Sequence, residues 1–151
     1  MTKMLIAYFS KTGTTKAAAE KIARVSGGDL FEIVTQKKYP ESYVKTVIVG
    51  KKEQLTRELP ALTTKVEDMA GYDAVALGFP VWWFTCPRAV LSFLSQYDFA
   101  GKTVYPFCTH GGSGPKNSTR DISAACSGDV KECLDANGLT DDGVRRWLGL
   151  E

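Results

Sequence analysis

The run from Lys3 to Phe9 (Lys-Met-Leu-Ile-Ala-Tyr-Phe) is apolar almost throughout and stops abruptly at Ser10-Lys11-Thr12-Gly13. A short strand with apolar side chains on both faces belongs inside a parallel sheet, because helices must cover it from either side. The pattern then recurs. Ala74 to Phe79 and Thr103 to Thr109 are again short, apolar and followed by Gly or Pro, and Asp29 to Thr35 alternates as a further strand. Between the first two strands, Ala18, Ile22 and Val25 fall at i, i+4 and i+7, which predicts a helix from Thr15 to Val25, capped by Thr14 or Thr15 and stopped by Gly27-Gly28. Pro87 opens another helix, with Val90, Leu91, Leu94 and Tyr97 on its apolar face. Alternation of strand and helix with right-handed crossovers implies an α/β fold of three layers, a doubly wound parallel sheet between helices.

Other segments carry mixed signals. In Glu41 to Leu59 a helical stripe (Val44, Ile48, Leu55, Leu59) competes with the strand chemistry of Val47-Ile48-Val49, and Gly50 interrupts either; its length favours a helix. Towards the end, Thr119 to Cys126 reads as helix, Val130 to Leu134 as a short edge strand, and Asp141 to Leu148 as a last helix capped by Thr140 or Asp141.

The 151 residues suit one domain that needs no covalent staple, since folding at this length buries roughly 70% of the unfolded chain's surface. With 19 Lys plus Arg against 17 Asp plus Glu, and no clustered Arg, nucleic-acid binding is not expected. The longest nearly apolar run, Ala74 to Phe84, is too short for a membrane span and contains Gly78 and Pro80. Met4 to Phe9 is too short for a secretory leader, so a cytoplasmic location is expected. Cys86, Cys108, Cys126 and Cys133 form no CxxC pair and read as free thiols.

In an open parallel sheet, ligands bind outside the carboxyl ends of the strands. Three loops there are unusual. Ser10-Lys11-Thr12-Gly13-Thr14-Thr15 is dense in hydroxyls and opens a helix, so side-chain O–H and free backbone N–H groups can enclose a phosphate; taken alone, it is equally a capped helix start. It is not a Walker A loop, and no GxGxxG fingerprint occurs, so ATP, GTP and a Rossmann dinucleotide fit poorly. Pro80-Val81-Trp82-Trp83-Phe84 places three aromatics after a buried strand, where at least one should line a cleft and cover a flat ring; a partner interface or core packing is the competing reading. Thr109-His110-Gly111-Gly112-Ser113-Gly114 offers amides and flexible glycines that approach a ligand edge closely. The three together imply a ligand with a phosphate at one end and a flat polar heterocycle at the other, the shape of flavin mononucleotide (FMN).

Tyr8-Phe9-Ser10-Lys11-Thr12-Gly13-Thr14-Thr15, Gly78-Phe79-Pro80-Val81-Trp82-Trp83 and Phe107-Cys108-Thr109-His110-Gly111-Gly112-Ser113-Gly114 resemble the flavin-binding loops of the flavodoxin family. Tyr39-Pro40-Glu41-Ser42-Tyr43, Lys51-Lys52-Glu53 and Leu59-Pro60-Ala61-Leu62 resemble short flavodoxin-like proteins with a Trp-Trp loop. The resemblance implies a flavodoxin-like, five-stranded sheet of order 2-1-3-4-5, bound FMN and electron transfer between redox partner proteins. It implies that the first loop, Ser10 to Thr15, holds the phosphate. Pro80, Val81, Trp82, Trp83 and Phe84 would contact the ring, and Thr109 to Gly114 would meet its pyrimidine edge. Two departures stand out: the third loop offers His110 where better-known flavodoxins place a Tyr, and the chain is mildly basic where those carriers are acidic.

His110, the single histidine, either couples electron uptake to protons or simply hydrogen-bonds its loop. Cys86 is expected to pack rather than react, and neither it nor Cys108 begins the C-x5-R loop of a low-molecular-weight tyrosine phosphatase. Lys37, Lys38, Lys45, Lys51 and Lys52 either form a solvated face or steer an acidic partner. The leading functional expectation is a redox carrier without catalytic side chains, as a monomer or weak homodimer. An NAD(P)H-dependent reductase of quinones or nitro compounds and a non-redox phosphate-binding module are the alternatives.

Overall fold

In the computed structural model, which describes residues 3–150, the apolar runs form one parallel sheet. β1 (Met4–Tyr8), β3 (Ala74–Pro80) and β4 (Thr103–Thr109) are its centre, with β2 (Asp29–Glu32) at one edge and β5 (Asp129–Val130) and β6 (Leu134–Asp135) sharing the other. The order β2-β1-β3-β4-β5 is the expected one, and the chain reverses direction across the sheet between β1 and β3. Loops leaving the carboxyl ends of those two strands therefore flank the switch point.

α1 (Thr14–Ser26) and α5 (Asp141–Leu148) cover one face, setting Ala18, Ala19, Ile22 and Val144 against Ile6, Tyr8, Ala76 and Phe107. α3 (Arg88–Ser95) and α4 (Ser118–Ala125) cover the other, with Val90, Phe93, Leu94 and Ile122 in the cluster of Leu5, Ala7, Val75 and Leu77. At Gly78 in β3, a Cβ would come 2.2 Å from Phe107 Cζ, whose ring is fully buried. Gly78→Ala is expected to destabilise the fold by about 1–3 kcal/mol through overpacking, read as a lower denaturation midpoint with an unchanged slope.

Several elements depart from the sequence reading, each for a local reason. The N-cap of α1 is Gly13, in the left-handed region at φ 94°, rather than Thr14 or Thr15. Ser10 Oγ performs the cap's work from further back, accepting from the amides of Gly13 (3.1 Å) and Lys16 (3.3 Å). The predicted strand to Thr35 ends at Glu32, because Val34 to Gln36 turns to pair antiparallel with Ala61 to Thr63. The predicted edge strand Val130 to Leu134 is split: Cys133 N donates to Thr119 Oγ1 of α4 (3.0 Å), lifting the chain off β4 between β5 and β6. Thr140 does cap α5, accepting from Gly143 N at 3.0 Å.

α2 (Tyr43–Thr56) is a helix as length suggested, but its stripe points the other way. Val44, Ile48 and Leu55 are 67%, 61% and 72% exposed, while Thr46, Gly50 and Glu53 face inward. The helix docks through a glycine and polar groups. A Cβ on Gly50 would sit 3.0 Å from Trp82 Cε3, so the bare backbone is what lets α2 rest on that indole. Thr46 Oγ1 meanwhile donates to Pro40 O at 2.6 Å.

Candidate functional site

The three loops at the carboxyl edge are bonded to one another. Thr15 Oγ1 and Thr109 Oγ1 share a buried hydrogen bond of 2.7 Å, joining the first loop to the third. Val81 N donates to Thr109 O (2.8 Å), and Asn117 N to Phe84 O (2.9 Å), joining the second to the third. In the first loop the amides of Thr12, Thr14 and Thr15 have no acceptor among the described residues, as the opening turn of a helix requires. The Thr12 and Thr14 hydroxyls lie 3.3 Å apart on the exposed side of that turn, with Lys11 half-buried. Free amides, hydroxyls and the positive end of α1 form a pocket edge suited to a phosphate. The side chains of Ser10 and Thr15 brace this loop, so their contribution is positional.

The second loop folds back on itself. Trp82 N donates to Thr85 O (2.9 Å) and Thr85 N to Trp82 O (3.3 Å), leaving Trp83 and Phe84 as a two-residue turn. Both have positive φ, 53° and 70°, a conformation that such a turn normally gives to Asn-Gly. Holding two bulky aromatics there stores strain of about 1–3 kcal/mol each, a cost that clusters at ligand sites. The two tryptophans separate. Trp82 is 4% exposed, wedged edge-on against Phe9 and Tyr39 with ring centroids 5.5 Å from each. Trp83 is on the surface and reaches across to α2, donating from Nε1 to Val47 O at 2.6 Å, with Lys51 Nζ 5.2 Å from its ring. Tyr43 and Val47 of α2 join Val81, Trp82, Phe84 and Gly111 around a groove of about 240 Å³. The sequence reading missed both α2 residues, since nothing in their spacing shows that α2 reaches the aromatic loop.

A separate cavity of about 330 Å³ lies between α2, α3 and α4, lined by Gly50, Thr85, Cys86, Arg88 and Asp121, with Trp82 as the wall it shares with the groove. Trp82 Nε1 is buried without an acceptor among the described residues. Burial, with the nearby Asp121 carboxylate, pushes the Cys86 thiol up to about 12, which agrees with the expected packing role. All four cysteines are free.

The third loop is held from outside by residues that no local motif announces. Asn137 grips the backbone of His110 at both ends, accepting from His110 N (3.1 Å) and donating to His110 O (2.8 Å). His110 Nδ1 accepts from Gly112 N (2.9 Å), which places the proton on Nε2, 2.8 Å from Asp135 Oδ2. Partial burial alone would raise the Asp135 carboxyl, but the His110 hydrogen bond and the Asn137 amide hold it below its usual value. His110 is thus a brace for its loop, and its side chain is 8% exposed. Gly112 and Gly114 take φ of 126° and 73°, and a Cβ at Gly111, Gly112 or Gly114 would meet nothing within 4 Å, leaving open space along the loop. Ser113 lines the aromatic groove and Pro80 closes β3. Although the second and third loops contain no Asp or Glu of their own, the fold brings Asp121 to Thr85 Oγ1 (2.5 Å) and Asp135 to His110.

A flavodoxin family model matches residues 3–150. The chain belongs to the flavodoxin family. A solved structure from Bacteroides eggerthii, described as a candidate flavoprotein, is 34% identical and superposes with a TM-score of 0.91, covering 99% of this chain and 98% of that one. The fold is shared with a Lactobacillus acidophilus flavoprotein solved in complex with FMN, at 24% identity and a TM-score of 0.81, covering 98% and 99% of the two chains. Among curated proteins, an NAD(P)H dehydrogenase (quinone) of Cupriavidus metallidurans is 31% identical over 99 residues, 64% of this chain. The match spans 47% of that relative, so this flavodoxin-family chain corresponds to about half its length. No helix among the described residues is long and apolar enough to cross a membrane, and no cluster of His, Cys, Asp or Glu among them could hold a metal ion.

Proposed function

We propose that this chain binds FMN non-covalently and carries electrons between protein partners, working as a monomer or weak homodimer. The observation that carries the reading is the hydrogen-bonded union of the three loops, which joins an anion-ready helix start to an aromatic groove at the sheet's switch point. The residues fit the group. The amides of Thr12, Thr14 and Thr15 would hold the phosphate, Trp82, Trp83, Phe84 and Tyr43 the ring system, and the Gly111 to Gly114 segment its polar edge. Bound there, FMN supplies a centre that accepts and releases electrons; the chain supplies binding, water exclusion and local charge. Nothing in the site requires a catalytic acid, base or nucleophile.

The sequence match to a quinone-reducing dehydrogenase favours a second reading, a reductase that takes hydride directly from NAD(P)H. Adding NADPH to the FMN-loaded protein under nitrogen separates the two. The carrier keeps its yellow colour until a partner reductase is added, whereas the enzyme bleaches at once.

Local charge leads to a further expected result. Asp121 is bonded to Thr85 and lies 3.1 Å from Arg120 Nε, and Asp135 is engaged by the His110 Nε2–H, so both carboxylates are tied to neighbouring side chains. Because the second and third loops carry no carboxylate of their own, uptake of the second electron should occur at a less negative potential than in acidic flavodoxins, since fewer like charges oppose the reduced ring. Potentiometric titration checks this, and a strongly negative second potential would reject it.

A further inference from the structure

The outer face of α2 is the least explained surface of the fold. On a helical projection, Val44, Ile48 and Leu55 form a central stripe, with Lys51 on one flank and Lys45 and Lys52 on the other. The apolar members are more than half exposed, while the helix's single carboxylate, Glu53, is turned inward and 1% exposed. An apolar centre ringed by one sign of charge is an interface pattern, since solubility alone would not set three large aliphatic side chains outward in a row. The stripe also adjoins the proposed ring groove, because Trp83 is bonded to Val47 O, and Tyr43 and Val47 line that groove.

We propose that the outer face of α2 is the docking surface for an acidic redox protein whose carboxylates surround an apolar centre, delivering or removing electrons beside Trp83. The proposal rests on the carrier reading and extends it by naming the face and the charge of the partner. Charge complementarity selects this occupant: α2 presents lysines and no outward carboxylate. A second copy of the chain fits less well, because a two-fold contact through this face would set Lys45 and Lys52 against the same lysines of the other copy.

Binding of two probe proteins of opposite charge, an acidic plant-type ferredoxin and the basic cytochrome c, tests the proposal by isothermal titration at low and high salt. The ferredoxin is expected to bind the FMN-loaded chain, roughly tenfold more weakly at high salt, and cytochrome c to bind weakly or not at all. The double variant Lys45→Glu, Lys52→Glu should lose ferredoxin binding by tenfold or more, and Ile48→Ser should weaken it while leaving its salt dependence in place. Both variants should bind FMN as the parent does, measured in the same samples. Loss of FMN binding in the parent would sink the carrier reading, whereas ferredoxin binding that neither variant alters would overturn the α2 surface alone. A preference for cytochrome c, or a dimer in sedimentation that Ile48→Ser dissolves, would also overturn it.

Discussion

Trp82→Ala is expected to destabilise the fold by about 3–5 kcal/mol, because it empties a buried site on which α2, Phe9 and Tyr39 all rest. Trp83→Ala should leave stability within about 1 kcal/mol of the parent, since its ring is on the surface and loses one hydrogen bond to Val47 O. Flavin affinity divides the pair in the opposite sense. Removing Trp83 should weaken FMN binding by roughly 1–3 kcal/mol if its indole covers the ring, whereas Trp82→Ala acts through collapse of the groove wall. Urea denaturation without ligand and FMN titration at a temperature where both variants are folded measure the two effects. Equal stabilities for the two variants would show that the separation of roles is wrong.

The second large effect is expected at Glu53. Its carboxylate, 1% exposed, takes a hydrogen bond from Tyr39 OH at 2.8 Å and 2.9 Å to its two oxygens and pairs with Lys37, which also reaches Glu58 at 2.7 Å. Tyr39 in turn packs edge-on against Trp82, so this polar cluster lies under the aromatic groove. Glu53→Ala strands the Tyr39 hydroxyl and half of the Lys37 pairing, and should cost about 2–4 kcal/mol. Lys37 is 37% exposed, so water compensates part of its loss and places the effect below that of a fully buried pair.

A pH dependence follows from the same cluster. Burial first, and then the Glu53 hydrogen bond and charge, push the Tyr39 phenol above its ordinary value. A group raised on folding contributes stability that is fully present below its unfolded value, about 10 for tyrosine, and lost as the pH climbs past it. The parent should therefore lose stability steeply above about pH 10, and Glu53→Ala should lose less over the same range. Parallel curves for the two proteins would remove Tyr39 and Glu53 as the cause.

The sheet was legible because its central strands are buried on both faces, and no other element type accommodates runs such as Met4 to Phe9 between turn residues. The loops were legible for a related reason: hydroxyls, three aromatics and glycines immediately after such strands have no place in the core. What a single pass could not show was which surface a stripe faces. Val44, Ile48 and Leu55 have the period of a buried face, yet Gly50 and Glu53 occupy that face, because the partner beneath α2 is a flat indole and a tyrosine hydroxyl. Residues acting across long separations were equally hidden. Asn137, Asp135 and Asp121 reach the second and third loops only because β6 and α4 return to the same sheet edge. The cap of α1 was misplaced because Ser10 bonds forward over three and six residues, which a search for a cap beside the helix does not consider.

The central claim is that one molecule spans the first loop's amides and the aromatic groove. Titrating the purified, flavin-free chain with FMN and, separately, with riboflavin, while following flavin and tryptophan fluorescence, tests it most directly. The account predicts saturable binding of FMN with quenching of both signals, and markedly weaker binding of riboflavin, which lacks the phosphate. Equal affinity for the two would contradict the phosphate cradle, and no binding of either would contradict the whole site.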